Sequence, residues 1–270
     1  MTIFHRHTEF YVVRSRSNHR KEPSIPEPAT REEMLSLLAV TLCGGGEYSP
    51  GLLQYRLENL GMSRVRAREI LREAVEKGWV LEVSGDAYYS WDERLQLTSP
   101  GLGYLLENGS AKSVLECAER ARCFYSEALE RCRHGDFIGT NFDDATILFL
   151  CGIEAFEEGN SGKTSHYLDR IGAQMLQLWG RLYGIGLIAL AVRTEKYRSL
   201  ASLFPDEFLV GLFEELCLTH PNQSAAELWG EEGRTLFLAS FKNREAGAVV
   251  HDWFVFREDF LAHGNPRAAL

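Results

Sequence analysis

Three arginines recur every fourth residue in the stretch Ser63–Lys77: Arg64, Arg68 and Arg72, with Arg66 between the first two. If that stretch is helical, residues four apart share a side. A row of guanidinium groups near a helix start can read guanine edges in a major groove and grip phosphates. Arg64, Arg66 and Arg68 are the candidates for base contact, and Arg72 for phosphate. The helix N-terminus adds backbone donors for a phosphate oxygen. The same stretch holds Glu69, Glu73 and Glu76. The alternative is therefore an ordinary solvated face laced with ion pairs.

Other spacings offer less chemistry. Gly159–Thr164 ends in Gly-Lys-Thr, but a phosphate-binding loop needs a glycine where Glu157 stands. An inter-helix loop is the simpler reading. His251-Asp252 resembles the metal pair of HD phosphohydrolases, yet Asp259 follows too closely to complete that set, and His5, His7 and His19 lack a fourth ligand. Asp143-Asp144 suits a helix start. There is no Gly-x-Ser-x-Gly elbow. The six cysteines show no CxxC pair and read as reduced thiols. The expectation is no catalytic residue, no metal and no cofactor.

The elements that would position the arginines are legible. Residues 8–16 suit a short strand, and the prolines of 22–30 an extended linker, so residues 1–30 form an arm. That arm carries Arg14, Arg16, Arg20 and Lys21, which suit a minor-groove contact. Thr30 with Glu33 makes a capping box for a first helix, stopped by Gly44-Gly45-Gly46. Ser49-Pro50 starts a second. Ser63 starts a third, whose Ala67, Ile70, Leu71, Ala74 and Val75 form an apolar stripe, and Gly78 stops it. Val80–Val83 and Leu95–Thr98 alternate as strands around a Ser84-Gly85-Asp86 turn. A short helix follows Pro100. Beyond Gly109 helices are expected over 111–133, 142–158, 165–181, 183–200, 206–219, 223–242 and 246–262. The apolar run Leu182–Val192 reads as a buried helix, short of a membrane span.

Two stretches carry a resemblance. Gly61–Val83 (GMSRVRAREILREAVEKGWVLEV) is similar to a recognition helix with its glycine exit into a strand. Leu95–Gly109 (LQLTSPGLGYLLENG) is similar to the strand-to-helix ending of bacterial MarR-like and PadR-like regulators. Together they resemble a winged helix-turn-helix over residues 31–109, under a third of the chain. The resemblance implies a mainly α fold with a small β-hairpin wing, and an all-α C-terminal domain over 110–270. It implies a cytoplasmic transcriptional regulator that binds double-stranded DNA as a homodimer, with the helical domain for dimerisation or sensing.

One part departs from the family. The wing carries Asp86, Asp92 and Glu93 against one basic residue, Arg94, its candidate DNA contact, and is crowded with Tyr88, Tyr89 and Trp91. Such aromatics suit a protein partner as well as a core. The net charge is −9, unlike a generally basic nucleic-acid binder. Only −2 of it lies in residues 1–110. The alternative function is a protein-interaction subunit of a larger DNA-processing or defence complex, and the third an enzyme with an unrecognised helical site. No apolar leader opens the chain, and no membrane association is expected.

Overall fold

The computed structural model describes residues 27–44, 49–84 and 93–263. The protein is mainly helical, with thirteen α-helices and one small antiparallel sheet among these residues. The expected strand at 8–16 and the arm's basic residues lie outside the described residues. So do Gly45, Gly46 and the wing residues Asp86, Tyr88, Tyr89, Trp91 and Asp92.

The first helix, α1 (Arg31–Cys43), starts on the expected capping box. The Thr30 hydroxyl accepts from Glu33 N–H, and Glu33 Oε2 accepts from Thr30 N–H at 2.9 Å. Ser49 caps α2 (Pro50–Glu58), and Ser63 caps α3 (Arg64–Glu76). Gly78 adopts φ 67°, a left-handed turn that frees the chain into β1 (Val80–Ser84). That strand pairs antiparallel with β2 (Glu93–Leu97), in the register Val80↔Leu97 to Ser84↔Glu93. Thr98 then caps α4 (Ser99–Asn108) and donates its hydroxyl to Gly78 O at 2.7 Å. One side chain thus ties the end of α3 to the start of α4.

Leu37, Leu38 and Leu42 of α1, Leu53 and Leu57 of α2, and Leu95 and Leu97 of β2 are buried together with α3's inward stripe. Each such leucine contributes roughly 1.5–3 kcal/mol by leaving water. The stripe of α3 is as the spacing predicts: Ala67, Ile70, Leu71 and Ala74 are buried and Val75 half-buried.

The rest of the described chain is helical apart from one isolated bridge, Gly139↔Ile171. It runs through α5 (Ala111–Arg120), α6 (Ser126–His134), α7 (Phe142–Glu157), α8 (Ser161–Leu168), α9 (Ala173–Arg193), α10 (Glu195–Arg198), α11 (Asp206–Thr219), α12 (Ala225–Ala239) and α13 (Arg244–His263), with a 3-10 turn at Ala201–Leu203. The long α9 is the axis. It crosses α11 with backbone against backbone: a Cβ on Gly180 would stand 2.1 Å from Phe208 O, and one on Gly211 would stand 2.1 Å from Gln177 O. On another side α9 meets α4, where a Cβ on Gly186 would stand 1.9 Å from Ser99 O. Ser99 Oγ donates to Leu182 O at 2.6 Å across that seam. One apolar core therefore runs unbroken from Met34 to Phe254. By length and composition α9 could cross a membrane, but 56% of its most apolar window is buried inside the structure.

Several helix limits differ from expectation. The helix expected over 111–133 is two, separated around Arg122, whose φ of 60° cannot continue a helix. The helices expected over 165–181 and 183–200 are instead α8, α9 and α10. Asn160 caps Lys163 N–H and so starts α8 early, and the Gly139↔Ile171 bridge interrupts the helices before Gly172. Arg181, read as a boundary, lies inside α9 and donates to Glu214 Oε2 on α11 at 2.7 Å. Gly230 breaks the geometry within α12 at φ 73°.

Candidate nucleic-acid interface

With 100° between successive residues, α3 has three distinct sides. Ala67, Ile70, Leu71 and Ala74 face the core. Arg64, Val65, Arg68 and Arg72 share an exposed arc on the opposite side. Between them Arg66, Glu69 and Glu73 are half-buried against the segment 27–33.

This third side resolves the mixture of arginine and glutamate. Arg66 makes a bidentate pair with Glu33, Nε to Oε1 at 2.8 Å and Nη2 to Oε2 at 2.7 Å. It also donates to the carbonyls of Glu27 at 2.7 Å and Pro28 at 3.0 Å, and meets Glu69 at 3.3 Å. Glu73 accepts from Ala29 N–H at 2.8 Å and from Lys77 Nζ at 2.6 Å. Chiefly through the Arg66 hydrogen bonds, the Glu33 carboxyl is held down to about 2. The Lys77 ammonium and the Ala29 amide hold Glu73 below the usual carboxylate range. Glu69 and Glu73 thus serve to anchor the chain entering α1, and Arg66 is committed with them. Its side chain is only 20% exposed, so it is withdrawn from the base-reading set in which its position had placed it.

The outer arc is different. Arg64 is 71% exposed and donates to Glu58 Oε1 at 2.5 Å, a single surface pair. Arg68 and Arg72 are exposed and make no hydrogen bond or ion pair among the described residues. Val65 is 67% exposed in the middle of them. Sequence reasoning missed Val65, although a helical wheel places it opposite the buried stripe, where an aliphatic side chain has no core to join. The neighbouring α2 leaves Leu52 and Tyr55 exposed. Arg94 sits on β2 opposite Val83 and is only partly exposed. The structure brings Arg64, Arg68 and Arg72 onto one surface, places Arg66 on the next side and keeps Arg94 on the hairpin.

No protein-family model, no curated protein and no solved structure matches the chain.

The other sequence motifs are accounted for locally. Gly159 takes φ 78° and Asn160 caps, so Gly162–Thr164 belong to the first turn of α8, where a loop was expected. Thr164 is buried, its hydroxyl donating to Asn160 O at 3.0 Å. Among the described residues His251 meets its neighbour Asp252 alone, at 3.4 Å on an exposed turn of α13. Among the described residues no group of His, Cys, Asp or Glu is arranged to hold a metal ion. None of the six cysteines is in a disulfide. Burial pushes the Cys132 and Cys151 thiols up to about 12.

Proposed function

We propose that the protein binds duplex DNA through the outer arc of α3, as a winged helix-turn-helix spanning residues 31–109. On this reading α2 and α3 are the helix-turn-helix pair, and the β1–β2 hairpin is the wing. One observation carries it: Arg64, Val65, Arg68 and Arg72 point outward together, while two of the interleaved acids, Glu69 and Glu73, are occupied on the adjoining side. Arginine suits guanine O6/N7 or phosphate, and an exposed aliphatic such as Val65 suits a thymine methyl. Ser63 and the first turn of α3 supply further phosphate donors. The broader role is a cytoplasmic transcriptional regulator that acts as a homodimer, with residues 110–270 for dimerisation or sensing.

The test is fluorescence anisotropy with a labelled duplex across a salt series. The variant carrying Arg64→Ala, Arg68→Ala and Arg72→Ala should bind at least ~10-fold more weakly. Its plot of log affinity against log salt should be shallower by about 2–3. Equal affinity and equal slope would overturn the reading.

The second reading is a protein-interaction subunit of a larger assembly. The net charge of −9 and the exposed Leu52, Tyr55, Val65 and Leu81 favour it. That reading expects no salt-dependent DNA binding by the wild-type chain.

A further inference from the structure

An open groove of about 260 Å³ lies along the seam between α4 and α9. Trp79, Gly103 and Glu107 line one wall, and Ile185, Ala189 and Arg193 the other. We propose that this groove is a binding site for a medium-chain aliphatic carboxylate, with its tail between Trp79 and the Ile185–Ala189 face and its head on Arg193.

The lining selects that chemistry. Trp79 lines the groove together with Tyr104. Tyr104 stacks on the Trp79 ring with centroids 3.9 Å apart, and Lys77 Nζ lies 4.8 Å from the Trp79 centroid. Beside these rings the lining offers Ile185 and Ala189, apolar surface that suits methylene groups. Arg193 stands at one end. It donates to Glu107 through Nη2 alone, at 3.1 Å, and its guanidinium makes no other hydrogen bond among the described residues. A guanidinium has five donors in a planar fork matched to a carboxylate. Its side chain is 54% exposed, so an incoming anion can reach it. Gly103 adjoins that end: a Cβ there would stand 3.8 Å from Arg193 Nη2. Glu107 is the built-in competitor: an arriving carboxylate shares or takes over its partner.

The site does not depend on DNA binding, but its position matters for it. Trp79 N–H donates to Ala74 O at 2.9 Å, and Thr98 N–H donates to Trp79 O at 3.0 Å. An occupant beside Trp79 thus touches the residue that joins α3 to the hairpin and to α4.

The experiment is a titration of the full-length, isotope-labelled protein with octanoate, followed by NMR at the Trp79 indole N–H and the Gly103 amide. Saturable shifts at both are expected, with 1-octanol binding at least tenfold more weakly. Arg193→Met should weaken octanoate at least tenfold, while Glu107→Gln should tighten it about 2–5-fold by removing the competitor. Ala189→Phe, at a half-exposed position, should fill the groove and abolish the shifts. Any of three results would overturn the proposal: no saturable shift at Trp79 and Gly103, equal binding of 1-octanol, or unchanged octanoate affinity in Arg193→Met. The last variant removes a surface charge and keeps its aliphatic stem, so it decides the matter even if Ala189→Phe fails to fold.

Discussion

Replacing Arg66 with methionine separates the two roles that arginines play on α3. The substitution keeps an unbranched stem and deletes the guanidinium. It removes the bidentate pair with Glu33, the 3.3 Å contact with Glu69 and two donations to the carbonyls of Glu27 and Pro28. Hydrogen bonds to a charged group are worth roughly 1.5–3 kcal/mol where water is excluded, and surface ion pairs far less. Arg66 lies between those limits, so the expected loss is ~1–3 kcal/mol at neutral pH. At about 2–4 °C per kcal/mol for a chain of this size, Tm should fall by roughly 2–12 °C. The pH dependence gives a second check. Glu33 titrates near 2 in the folded protein against an ordinary 4.5, chiefly because of Arg66. A depressed carboxyl stabilises the fold above its unfolded value and loses that contribution as pH falls through the folded value. The stability gap between wild type and Arg66→Met should therefore be full above pH 5 and close as pH falls from about 4.5 toward 2, as followed by urea unfolding. Well below Tm, the variant should keep wild-type DNA affinity within about twofold, since Arg66 makes no part of the outer arc. Unchanged stability together with a large loss of DNA affinity would refute this assignment of the sides of α3.

Two further substitutions test helix packing and helix capping. Gly211→Ala puts a methyl against the Gln177 carbonyl, where backbone crosses backbone, and should cost at least ~2 kcal/mol in urea unfolding. A neutral effect would mean that α9 and α11 pack less closely. Thr30→Ala removes the cap of α1 and should cost about 1 kcal/mol by thermal unfolding, leaving the salt slope of DNA binding unchanged.

The local signals in the sequence proved reliable where the cause is local. Thr30, Ser49 and Ser63 each accept the hydrogen bond expected of a cap, because the partner amide is only three residues away. The buried stripe of α3 followed from spacing alone. Signals with distant causes were harder to read. Arg66 looked like its neighbours because its partners, Glu33 and the carbonyls of residues 27–28, lie more than thirty residues upstream and reach it only through tertiary packing. Arg181 looked like a helix end because its charge interrupts an apolar run, but Glu214 on α11 satisfies it in mid-helix. Gly180 and Gly186 are places where another backbone closes in, and those partners lie far away in the sequence. The residues of the outer arc were visible as a charge period. Val65 was passed over because only charged positions were weighed.

The most direct measurement is site-specific photocrosslinking. A photoreactive phenylalanine analogue at Val65 places the probe at the centre of the outer arc, and the same analogue at the exposed Ile138 serves as the control. With duplex DNA at low salt, the probe at Val65 should crosslink strongly and the probe at Ile138 should not. No adduct from Val65, or equal adducts from both positions, would contradict the placing of α3 against the duplex.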